Sequence, residues 1–219
     1  MGSVNSKILY EYNVIGGFIG LGEYIHLEMI NEMEDFPDIQ QFIGVNKKTF
    51  QLKDHPRFHE VIEKALYELE NPDPTGQSVR LERVNGLLRK AITLEQQNFS
   101  ISLNKVMKNG IHSLSCIFNK NNYEDHVNGS IGICKADHKI SNRFNYLNQL
   151  TCQSILFYFG LGGEVCCKKN ETWGNAKFVE NQLLTMELNM DIGTLHFFVD
   201  GKQQPVFVRG INEPMKFLV

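Results

Sequence analysis

The sequence has no excess of one charge sign: 22 lysines and arginines stand against 25 acids, for a formal net charge of −3 over 219 residues. A nucleic-acid binder needs clustered cations to displace phosphate counterions, so nucleic acid is not expected as a partner. Long hydrophobic runs are missing too. The longest near-apolar stretch, Val14 to Gly22, is too short and too rich in glycine to cross a bilayer, and no secretory signal pattern precedes it. The cysteines Cys116, Cys134, Cys152, Cys166 and Cys167 are odd in number and widely spaced apart from one adjacent pair. They do not describe a disulfide framework, so a reducing, cytoplasmic compartment is expected. The Asn-X-Ser/Thr triplets at Asn98, Asn128 and Asn170 carry no meaning there.

Groupings that carry chemistry are also missing. His55 and His59 are four apart, but Pro56 stands where a zinc-protease helix needs glutamate. Cys116, His126, Cys134 and His138 are irregularly spaced for zinc, and Cys166 and Cys167 would point to opposite faces of a strand. The glycine clusters Gly16–Gly22 and Gly160–Gly163 lack the strand-to-helix setting of a phosphate loop and read as hinge or turn. No metal, no cofactor and no enzymatic activity are expected.

What is present is a change of hydrophobic period. Pro56 starts a helical pattern that places Phe58, Val61, Ile62, Ala65, Leu66 and Leu69 on one face, and Asn71-Pro72-Asp73-Pro74 cannot continue it. A second amphipathic stretch, expected as helix, sets Leu81, Val84, Leu88 and Ile92 on one side, with Arg80, Glu82, Arg83 and Arg89 around them. From about Asn98 the period becomes two. Phe99, Ile101 and Leu103 are expected inward, with Ser100 and Ser102 outward. Further inward rows are His112, Leu114, Cys116 and Phe118, then Ile155, Phe157 and Phe159, then Leu184, Met186 and Leu188, then Leu195, Phe197 and Val199. Asp200-Gly201 signals a tight hairpin, because both central positions need positive φ. Short strands with frequent turns make the chain mainly β: an antiparallel sandwich or barrel over 98–219, behind an N-terminal helical region over 1–95.

Residues Thr185 to Lys202, with an aliphatic-acidic-Leu strand, Gly193-Thr194-Leu195, Phe197-Phe198 and Asp200-Gly201, resemble the signature of the SPRY domain. Gln204 to Val208 and Met215 to Phe217 resemble that family's last two strands, Asn109 to His112 an early strand's entry, and Ser130 to Ile133 its short apolar strand. Glu180-Asn181 stands where the family usually has Gly-Asp, and the chain ends at Val219 inside the expected final strand. The resemblance implies a non-catalytic protein-protein interaction module, binding a protein or peptide through loops held by a rigid SPRY-like β-sandwich. The candidate contact residues are Asn121, Asn122 and Tyr123, then Arg143, Phe144 and Tyr146, then Lys168, Lys169 and Trp173. Trp173, the only tryptophan, fits either an exposed anchor or a plug at one end of the sandwich.

Leu21, Ile25, Met29, Ile30 and Met33, followed by Pro37-Asp38-Ile39, Phe42 and Val45 to Phe50, resemble an F-box, with Gly22 in place of the usual proline. That resemblance implies an alternative function, a substrate adaptor of a cullin-type ubiquitin ligase. Leu21, Ile25, Ile30 and Met33 would then face a Skp-type adaptor, while a plain helical hairpin is the simpler reading. The N-terminal Met1-Gly2-Ser3-Val4-Asn5-Ser6 fits N-myristoylation at Gly2. One acyl chain without a polybasic cluster gives only reversible, peripheral membrane attachment.

Overall fold

The computed structural model describes residues 17–33, 36–65, 67–73, 75–85, 88–95, 99–119, 127–140, 153–168 and 170–219. The chain divides into two compact units, Met1–Tyr67 with Arg83–Leu88, and Glu68–Glu82 with Arg89–Val219.

The smaller unit holds helices α1 (Glu23–Asn31), α2 (Phe36–Gly44), α3 (Lys47–Gln51) and α4 (Pro56–Ala65). Helix α3 starts where it does because Asn46 caps it. The Asn46 Oδ1 accepts from the backbone N–H groups of Lys48 and Thr49, and the Thr49 hydroxyl accepts from the Asn46 N–H at 3.2 Å. Pro56 opens α4, where its missing N–H would have no helical partner. Leu27, Ile30, Ile39, Phe42, Leu52, Phe58 and Val61 form this unit's core, and Arg57 pairs with Glu28 between α4 and α1. Helix α4 stops at Ala65, so Leu69 leaves the expected helix for strand β1 (Leu69–Glu70).

The second amphipathic stretch is not a helix. It forms strands β2 (Val79–Asn85) and β3 (Leu88–Thr93), which make a two-stranded sheet. The helical spacing sets Leu81 and Val84 on opposite faces of β2 and leaves Val84 and Leu88 about half exposed, while the sequence Asn85-Gly86 is poor helix chemistry and strong turn chemistry.

In the larger unit, one sheet runs β1, β4 (Ser102–Leu103), β14 (Met215–Leu218), β6 (Ser130–Lys135), β7 (Ile155–Phe159), β8 (Val165–Cys167) and β9 (Asn170–Thr172). The other runs β12 (Lys202–Gln203), β11 (Thr194–Val199), β10 (Leu184–Asn189) and β5 (Ile111–Cys116), with β13 (Val208–Arg209) also on β11. The neighbouring strands in both sheets pair antiparallel. Two layers of antiparallel strands over one apolar filling make a β-sandwich.

Strands β10 and β11 follow the period-two pattern. Leu184, Met186 and Leu188 face Val199, Phe197 and Leu195 in register, and all six are buried. The next turn carries Asp200 at φ 49° and Gly201 at φ 75°, as its sequence requires. At Glu180-Asn181, Asn181 takes φ 64°, the left-handed conformation that asparagine tolerates best after glycine. The two layers lock through aromatics. Tyr158 of β7 meets Phe197 of β11 at 5.3 Å and the fully buried Phe178 at 5.2 Å, both edge-on.

Two expected rows differ from what forms. On β7 it is Leu156 and Tyr158 that enter the inter-sheet core, while Ile155 and Phe157 pack on the sheet's other face with Cys134 and Leu218, with Phe159 partly buried beside them. This sheet is covered on both faces there, so its strand reads as a continuous apolar run and alternation cannot assign its sides. Near residue 100 the serines are not outward: Ser100 and Ser102 are buried alongside Ile101, and β4 spans only Ser102–Leu103. Ser102 is tolerated inside because its hydroxyl donates to Glu70.

Candidate functional site

Strands β8 and β9 pair Val165 with Thr172 and Cys167 with Asn170, so these four side chains share one face. That face is one wall of a cavity of about 250 Å³, and the segment Val206 to Arg209 is the other. Val165 belongs to the inter-sheet core, and Cys167, Val206 and Val208 pack against it. The cavity is therefore the open margin of the space between the layers, with an apolar floor continuous with the core. Lys168, Asn170, Phe207 and Arg209 form its rim, and Lys168 and Arg209 also line an adjoining hollow with Lys135. Glu171 alternates to the opposite face of β9.

Both walls are fixed. Asn175 donates from Nδ2 to the Val206 carbonyl at 3.2 Å and accepts at Oδ1 from the Val206 N–H at 2.7 Å. Gln204, also buried, accepts from the Ala176 N–H at 2.9 Å. Phe207 lies stacked on the His196 ring at 4.8 Å, yet remains 46% exposed. Lys168 stands at φ 49° in the turn closed by Cys167 and Asn170. Trp173, next to Thr172 on the wall, is 62% exposed and so does not plug an end of the sandwich.

Among the described residues, the one thiol lining the cavity is not activated. Burial pushes the Cys167 thiol up, only partly opposed by the Lys168 charge. Cys116 and Cys134, each pushed up to about 12 chiefly by burial, stay protonated at neutral pH.

Of the sequence-derived contact residues, Lys168 lines this cavity and Trp173 adjoins it in sequence. Asn121, Asn122, Tyr123, Arg143, Phe144, Tyr146 and Lys169 lie outside the described residues, as does Gly2. Sequence reasoning missed Phe207, Arg209 and Asn170. It placed Gln204 to Val208 in one strand, whereas only Val208–Arg209 pair and Phe207 is left at the rim. Pro205, which cannot donate to a ladder, was the available signal.

In the helical unit the four adaptor-facing candidates do not share one open face. Ile25 is half exposed, Leu21 partly buried, Ile30 sits at 1% exposure in the core, and Met33 packs against that core.

No family model matches the sequence, and no curated protein matches it either. Solved structures similar to the chain include the crystal structure of the TRIM65 PSpry domain, at 11% identity and a TM-score of 0.51, covering 69% of this chain and 82% of that one. The SPRY domain of human HERC1 gives 13% identity and a TM-score of 0.44, over 56% of this chain and 74% of that one. Stonustoxin gives 15% and 0.42, over 65% of this chain and 24% of that one. With the two-layer topology, the first of these similarities identifies the β unit as a SPRY-like sandwich.

Proposed function

We propose that this protein is a non-catalytic interaction module that binds a protein or peptide segment at the open margin of its SPRY-like sandwich. One observation carries the reading: an apolar floor joined to the core is rimmed by two cations and an exposed Phe207, with exposed Trp173 next in sequence to the wall. Binding energy concentrates where aromatic anchors and cations border a desolvated pocket, and rigid walls reduce the ordering cost of association. Asn121, Asn122, Tyr123, Arg143, Phe144 and Tyr146 are further proposed contact positions.

The test is selection of displayed random peptides on the full chain, followed by titration of labelled peptide against variants. Phe207→Ala and Trp173→Ala are each expected to weaken binding by about tenfold or more, at an unchanged melting temperature. Tyr123→Ala and Arg143→Ala form a second arm. Peptides that bind the Phe207 and Trp173 variants as tightly as the parent would send recognition to another face.

A further inference from the structure

The chemistry of the bound segment follows from the charges at the same cleft, so this inference rests on the peptide-binding reading. Lys168 and Arg209 come from different sheets and line one cavity. Among the described residues, no acidic side chain lines that cavity or the adjoining hollow, and neither cation has an ion-pair partner. The third cation, Lys135, is answered by Glu213 at 2.8 Å. In a chain of net charge −3, two cations left facing one opening are complementary to an acidic occupant.

The backbone supplies an independent observation. Lys168 sits at φ 49° directly after β8, a left-handed conformation where glycine and asparagine are favoured and a long side chain is strained. A locally unfavourable residue whose charge lines a cavity marks a position kept for something other than folding. Cys167 and Val165 beneath it and Phe207 opposite supply the apolar surface.

We propose that the cleft takes an extended acidic peptide segment, its carboxylates meeting Lys168 and Arg209 and one apolar side chain lying against Phe207. Lysine and arginine are not equivalent here. Arg209 can take a carboxylate with two parallel N–H donors, whereas Lys168 acts as a point charge.

The experiment uses the full chain and the peptides selected on it, titrated against the parent, Lys168→Asn, Arg209→Gln and Phe207→Ala. The selected peptides are expected to be rich in Asp and Glu around an apolar residue, and to bind several-fold more weakly at high salt. Lys168→Asn and Arg209→Gln should each lower affinity by about tenfold, while Lys168→Asn melts no lower than the parent because asparagine suits the turn. Peptides without an acidic excess, or acidic peptides held equally by both charge variants, overturn the acidic occupant while leaving peptide binding in place if Phe207→Ala still weakens them. Failure to select any peptide, or peptides indifferent to all three variants, overturns both readings together.

Discussion

At the scale of single residues, the cleft depends on Asn175, whose amide satisfies both backbone groups of Val206. Asn175→Ala leaves a part-buried N–H and a part-buried carbonyl without partners, and is expected to destabilise the unit by about 1–2 kcal/mol, read from the urea unfolding midpoint. Asn175→Asp keeps the acceptor but sets a carboxylate oxygen against the Val206 carbonyl at a buried position, so it should destabilise as well. Gly132 makes a sharper case. A Cβ there would stand 2.0 Å from the Leu156 carbonyl oxygen and 2.8 Å from the Phe157 Cα, both backbone atoms of the paired strand β7. No rotamer relieves that clash, so Gly132→Ala should part β6 from β7 at a cost of about 3 kcal/mol or more, visible as a lowered melting temperature. Nothing in the local sequence Ser130-Ile-Gly-Ile distinguishes this glycine from an ordinary turn former, because the obstacle belongs to a strand more than twenty positions away.

At the scale of elements, the two shortest structures are those most dependent on local chemistry. Helix α3 has five residues and stands on the reciprocal cap between Asn46 and Thr49. Asn46→Ala removes the acceptor for two N–H groups and should cost about 1 kcal/mol, measured as reduced helical signal and earlier unfolding of the helical unit. The β8–β9 turn runs the other way. Lys168→Gly relieves a left-handed lysine and should stabilise the β unit by up to about 1 kcal/mol in the same denaturation measurement. Pro56 and Asp200-Gly201 show that helix starts and turns were readable from the chain, because each depends on residues within a few positions of one another. The stretch from Val79 to Thr93 was not readable as strand. Its apolar spacing fits the helical period and not the extended one, and only the sequence Asn85-Gly86 speaks against a helix.

At the scale of the whole β unit, a charged group ties three strands of one sheet together. Glu70 on β1 accepts from the Lys216 Nζ of β14 at 2.7 and 2.9 Å and from the Ser102 hydroxyl of β4. Desolvation pushes its carboxyl up, but the bonds from Lys216 and Ser102 and the lysine's charge outweigh this and hold it below the ordinary value of 4.5. With the folded pKa depressed, the contribution is present above about pH 4.5 and is lost as pH falls through the folded value. Because Glu70 is partly exposed, the contribution is about 1 kcal/mol. The stability gap between the parent and Glu70→Gln should therefore be near that figure at pH 7 and close as pH falls below the ordinary carboxylate value, followed by urea unfolding across the range. By itself the sequence determined the class of the larger unit, its inward rows on β10 and β11, and the tight turn after them, since period and turn chemistry are written between near neighbours. Only the tertiary structure decided which side of β7 faces the other layer, because a strand buried on both faces carries no alternation. It alone also brought Lys168 and Arg209 to one cavity. Each reaches it through a pairing with a near neighbour, β8 with β7 and β13 with β11, but the two pairings belong to different sheets, and no local pattern encodes how one sheet lies against the other.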